Sequence, residues 1–149
     1  MSSYWIHSSF QVEGRFDKSI FIYFSMRLDK YYRSFQDRLS TRELLKRRNM
    51  ELPAYNCVCC PLMVDESLVH LFLHWPFAQS CWNGLGLIIG HNNPFITLEQ
   101  LKDQLNLPFF MEIIVVMSWR IWMQRNDRIF REIQPSLATC LLHLKKNLL

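Results

Sequence analysis

The 149-residue chain is 50% hydrophobic and 20% charged, which supplies enough apolar surface for a core and excludes wholesale disorder. Its four glycines are too few for the many tight turns of a sandwich or small barrel, so an all-β fold is not expected. The formal net charge of +4 is mild and does not by itself imply a nucleic-acid partner.

In chain order, residues 1–36 are aromatic-rich and follow no clear period; Ile20 to Met26 reads equally as a strand or a helical turn. Met1 to Ser9 lacks the basic start of a secretory signal. Ser40-Thr41-Arg42-Glu43 has the form of a capping box, with the Ser40 hydroxyl accepting a first-turn amide and Glu43 reaching back. It predicts a short helix from 41 to about 49. Pro53 to Met63 reads as loop. Glu66 to His74 reads as helix, with Asp65 or Glu66 at its positive end. Pro76 suits the first turn of the next helix, which runs through Phe77, Cys81 and Trp82 until Gly84, Gly86 and Gly90 stop it.

Thr97-Leu98-Glu99-Gln100 is a second capping-box pattern and starts a helix to about 105. Pro108 precedes the longest helix, about 109–132, whose Ile114, Met117, Ile121 and Trp122 lie near one face, widened by Ile113 and Val116. Its apolar run Ile113 to Trp119, between Glu112 and Arg120, is far short of the roughly 18–20 residues of a membrane span. Pro135 at a first helical position opens a last helix, where Leu137, Leu141, Leu144 and Leu148 form a stripe. The expected fold is mostly α. It divides into residues 1–36, a small helical domain over 37–90, and a C-terminal helical region over 91–149. The chain is expected to be intracellular, with no membrane partner.

Three of the five cysteines, Cys57, Cys59 and Cys60, crowd into four positions, which suits a reducing compartment and a metal better than a disulfide framework. With His70 and His74 they make a C-x2-C-x9-H-x3-H spacing. Zinc takes thiolate and imidazole in a tetrahedron, and a Cys-x2-Cys turn can put two sulfurs on one ion. His70 and His74, four apart, share a helix face. The spacing alone leaves two readings open: a metal knuckle, or buried thiols beside two ordinary helix histidines.

More of the chain fits a family pattern. Arg38 through Leu45, Leu52-Pro53, Cys57-x2-Cys60, Glu66-Ser67-Leu68, His70-Leu71-Phe72, Pro76-Phe77-Ala78 and Cys81-Trp82 together resemble the zinc-binding domain found downstream of the reverse transcriptase in plant LINE-type (non-LTR) retrotransposons. Trp119-x-Ile121-Trp122-x-x-Arg125-Asn126-x-x-Ile129-Phe130 is similar to the helix that follows this domain. The resemblance covers about residues 37–135, and residues 1–36 do not follow it, as in a truncated or rearranged copy. It implies zinc as the cofactor, with Cys57, Cys60 and His70 as ligands and a last ligand Cys at position 75. Here that position is Trp75, and indole offers no lone pair to a metal. His74, one position early, could substitute with a shift of the helix; Cys59 is a spare thiol expected to face away. The expectation is a zinc site weakened or lost. A structural zinc supplies on the order of 10 kcal/mol of folding energy, so its loss would loosen residues 53–76.

Arg38, Arg42, Lys46, Arg47 and Arg48 surround the single acid Glu43 and form a candidate phosphate-binding face, or simply a solvated one. Arg125, Asn126, Arg128 and Arg131 are read as offsetting the long helix's dipole, and Trp119 and Trp122 as core. No enzyme activity is expected. A polymerase needs paired aspartates for two metal ions about 3.5–4 Å apart, and the chain has no Asp-Asp. Gly84-Leu85-Gly86 is no phosphate loop, and Cys81 with His91 is no nucleophile pair. Two functions stand: a non-catalytic zinc-binding module associated with RNA or DNA, or a helical relic without zinc that meets only a protein or itself. The family's lifestyle implies the nucleus, although Lys46-Arg47-Arg48 is too short and embedded to act as a nuclear signal alone.

Overall fold

The computed structural model describes residues 39–90, 93–108 and 110–148; residues 1–38, with Arg38 and Ile20 to Met26, and His91 lie outside the described residues. The elements are α1 (Arg42–Arg47), a π-helical turn (His70–His74), α2 (Pro76–Gly84), α3 (Pro94–Leu105), α4 (Phe110–Phe130) and α5 (Leu137–Leu148). The fold is mostly helical, as its composition implies. The one pairing of extended backbone among the described residues is an isolated antiparallel bridge, Asn56 to Asp65. None of the described helices is long and apolar enough to cross a membrane.

The local signals that end each helix differ from the expected ones in instructive ways. The α1 cap is Thr41, one residue after Ser40: its hydroxyl accepts the Leu44 amide at 3.3 Å. Helix α3 starts at Pro94, not at Thr97. Asn93 caps it, its Oδ1 accepting the Ile96 amide at 3.3 Å, while Thr97 sits buried inside the first turn. Helix α4 stops at Phe130, where Arg131 and Ile133 both donate to the Asp127 carbonyl and Glu132 takes a left-handed φ of 57°. Ser136, not Pro135, opens α5, its hydroxyl accepting the Thr139 amide at 3.2 Å. At these starts a side chain that reaches an amide sets the boundary, whereas α2 opens on Pro76 with no side-chain cap.

Helix α4 is the central element and packs against α5, α3, α2 and the π turn. Its residues Ile113 to Trp119, Ile121 and Trp122 are buried, with Trp82, Leu71 and Leu101 beside them in the core. The Trp82 indole donates to the buried Phe72 carbonyl at 2.7 Å, which ties α2 to the π turn.

One charged pair lies inside this apolar body. Glu66 is fully buried and Arg125 is 4% exposed; they meet through two hydrogen bonds, one of them Nε to Oε2 at 3.0 Å. Arg125 thus does not offset a helix dipole. It reaches sideways from α4, lies 4.7 Å from the Trp122 ring centre, and donates also to Asn126 Oδ1 at 2.9 Å. Glu66 does not open a helix either, since helical backbone starts only at Leu68, two residues later than expected. Its Oε1 accepts the Arg42 amide and its carbonyl accepts the Glu43 amide, both at 3.1 Å, so it caps α1 from outside.

Arg125→Met leaves the Glu66 carboxylate buried without its counter-charge and should cost about 3–5 kcal/mol in urea unfolding. Lys46→Ala, which removes an exposed pair with Asp65, should cost less than about 1 kcal/mol in the same measurement.

Candidate metal centre

The segment before the π turn folds into a narrow loop. Cys57 donates its amide to the Val64 carbonyl at 2.8 Å and Glu66 to the Tyr55 carbonyl at 3.0 Å, closing two arms around the bend at Val58 to Leu62. The Cys59 amide is directed at the Cys57 sulfur and the Leu62 amide at the Cys60 sulfur. Amides two residues on from each cysteine are donors suited to a thiolate.

His70 comes to this loop from the next element. Ser67 Oγ accepts the His70 amide at 3.0 Å and starts the turn. The turn then widens: the Trp75 amide donates to the His70 carbonyl, five residues back, at 2.6 Å. The ligand atoms of Cys57, Cys60 and His70 all lie within 4.8 Å of one another, with Cys60 Sγ 3.2 Å from His70 Nε2. Two thiols and an imidazole so placed form a donor set that fits zinc.

His74 does not enter the group. It lies a turn further along the helix, and its Nε2 is buried with no hydrogen-bond partner among the described residues. Cys59 does not face away: it is half-buried and its thiol hydrogen-bonds to Cys57, although it too stays outside the three-donor group. Trp75 is 2% exposed, and its indole Nε1 donates to the Cys59 carbonyl at 3.3 Å. At the position where the resemblance puts a last thiolate, the side chain holds the loop by its backbone instead.

Electrostatics follow from burial. The hydrogen bond with Cys59, then burial, raises the Cys57 thiol, and the same bond lowers Cys59. Burial raises Cys60. Burial and then the neighbouring His74 lower His70, which favours the neutral imidazole a metal needs.

The basic residues are largely engaged. Arg42 donates to the Ala54 carbonyl at 2.9 Å, Lys46 pairs with Asp65 at 3.2 Å, and Arg47 lies 4.0 Å from Glu43. Lys46, Arg47 and Arg48 are exposed, beside the metal loop. The Glu66–Arg125 link escapes sequence reasoning, since nothing local joins residues 59 apart.

This architecture is that of a small helical domain built around a Cys/His group that could hold a metal. The chain matches the family described as zinc-binding in reverse transcriptase over residues 5–82, and it belongs to that family. The match takes in Cys57, Cys60 and His70 and begins well inside the segment that looks divergent by pattern. No curated protein and no solved structure matches the chain.

His70 gives a pH prediction. The unfolded chain takes up a proton near the ordinary value of 6.5, whereas the folded chain holds the imidazole neutral to lower pH. Stability is therefore present above that value and lost as pH falls through it. The metal-free protein should melt lower at about pH 5.5 than at about pH 7.5. His70→Gln should flatten part of that slope, and His143, lowered by burial and by Arg120 and Lys146, should account for more of it.

Proposed function

We propose that the chain is a non-catalytic zinc-binding module of a retroelement polyprotein of the plant LINE type, associated with nucleic acid. The observation that carries this reading is the group of Cys57, Cys60 and His70, with backbone amides directed at both sulfurs. Those residues would hold the ion, and a bound zinc would join the loop to the π turn. Helix α1, whose first-turn amides bond Glu66, carries Arg42, Lys46, Arg47 and Arg48 beside the loop. This is the surface that would meet phosphates, Arg38 extending it by sequence. The nucleus is the setting such an element requires.

A second reading is favoured by Trp75. With an indole where the family pattern has a thiol, and with Arg42, Lys46 and Arg47 already partnered, the fold can stand on its core as a relic without metal or nucleic acid.

Elemental analysis of the purified chain separates the two. One zinc per chain, lost in Cys60→Ala and kept in His74→Ala, supports the module with three protein ligands; no zinc supports the relic. Trp75→Cys should tighten zinc binding by supplying a fourth thiolate, although emptying the indole's site costs about 3–5 kcal/mol of stability. For single-stranded RNA, fluorescence anisotropy should show affinity falling as salt rises. Removing Lys46, Arg47 and Arg48 together should reduce the log–log slope by about 0.7 for each phosphate that the variant no longer neutralises.

A further inference from the structure

A second group of metal-ligating side chains lies in the core, where α2, α4 and α5 meet. Cys81 on α2 and Cys140 on α5 are free thiols with sulfurs 3.6 Å apart. Met117 on α4 brings its thioether to 3.8 Å from the Cys140 sulfur. All three residues are fully buried. A metal–thiolate bond of about 2.3 Å would place three sulfurs of a planar triangle roughly 4 Å apart, and the Cys81–Cys140 and Cys140–Met117 separations are within a few tenths of an ångström of two of its sides.

Arg120, one turn beyond Met117 on α4, adds a charge to this group. Its Nε is buried with no hydrogen-bond partner among the described residues, and its guanidinium acts on the Cys140 thiol and favours the thiolate. Arg120 as a whole is only half-buried, so solvent shares its charge with the sulfur group.

Donor chemistry and charge select the ion. Thioether and thiolate are soft ligands, which suit monovalent copper, whereas zinc prefers four nitrogen or sulfur donors in a tetrahedron. Two thiolates with one monovalent ion carry a net charge of −1, which the nearby Arg120 guanidinium favours. We propose that Cys81, Cys140 and Met117 form a buried three-sulfur site for copper(I), separate from the Cys57–Cys60–His70 centre. On loading, both thiols release their protons to solvent, two metal–sulfur bonds form, and the thioether completes the triangle; no electron is transferred. Entry requires α5 to part briefly from α2 and α4. Helices α2 and α5 pack tightly at Gly84, which has no side chain, where Leu141 would lie 3.2 Å from a Cβ.

The test is an anaerobic titration of the full, zinc-treated chain with copper(I) delivered as its bicinchoninate complex, read by loss of the complex's colour. One copper(I) per chain should be withdrawn. Cys140→Ser and Cys81→Ser should weaken that binding on the order of 100-fold, Met117→Leu about tenfold, and Cys57→Ser with Cys60→Ser should leave it in place. X-ray absorption of the copper-loaded parent needs no variant and should show a three-coordinate shell of sulfur alone. Copper lost with the Cys57 and Cys60 substitutions but kept in Cys140→Ser would overturn the proposal. So would a shell containing nitrogen or oxygen, or a parent that withdraws no copper.

Discussion

A carboxylate carried out of water needs both a counter-charge and hydrogen bonds inside the protein, and Glu66 draws three parts of the chain together in finding them. Arg125 comes from the long helix, two amides come from the start of α1, and Glu66's own amide closes the arms of the metal loop onto Tyr55. The ion pair therefore ties the loop to α4, alongside the Trp75 bond to the Cys59 carbonyl. The pair also shapes the loop's chemistry. The charge of Glu66 disfavours thiolates at Cys57, Cys59 and Cys60, while Arg125 favours one at Cys59. Neutralising Glu66 internally keeps an anionic sulfur group tolerable beside a buried acid.

The chain holds its five cysteines in two settings of different character. Cys57, Cys59 and Cys60 sit at a loop with exposed Val58, Leu62, Met63 and Val64 around the bend, mixed with imidazole and backbone donors. Cys81 and Cys140 sit in the buried core, with the Met117 thioether beside Cys140 and the Arg120 guanidinium acting on it. The first environment suits a borderline ion that accepts nitrogen, the second a soft one. Neighbouring ligand sets in one small domain can therefore stay chemically distinct without any barrier between them.

Much of this is legible in the residues. Apolar spacing reveals α4 and α5, prolines and glycines bracket α2, and the Cys-x2-Cys spacing points to both His70 and His74, of which the fold brings only His70 to the cysteines, as the family resemblance implies. Cap residues differ from the pattern's choice by one to four positions. Thr41, Asn93 and Ser136 compete with equally suitable neighbours, and only tertiary contacts decide which side chain finds an amide. The Glu66–Arg125 pair is invisible in the sequence because its partners are far apart and each looks like an ordinary helix-end charge. The meeting of Cys81, Met117 and Cys140 is hidden for the same reason, since helix packing creates it.

The π turn has a consequence for how this domain can vary in length. One turn of helix there spans five residues, so His70 and Trp75 are joined by a hydrogen bond that an α-helix would give to the residue before. A π turn carries one residue more than an α turn over nearly the same arc, so deleting a single residue there restores an α turn and leaves α2 close to its present direction. The same deletion inside α2 or α4, which are already α-helical, would rotate everything after it by roughly 100° about the axis. Among descendants of this sequence, a one-residue deletion should be tolerated better in the π turn than within those two helices.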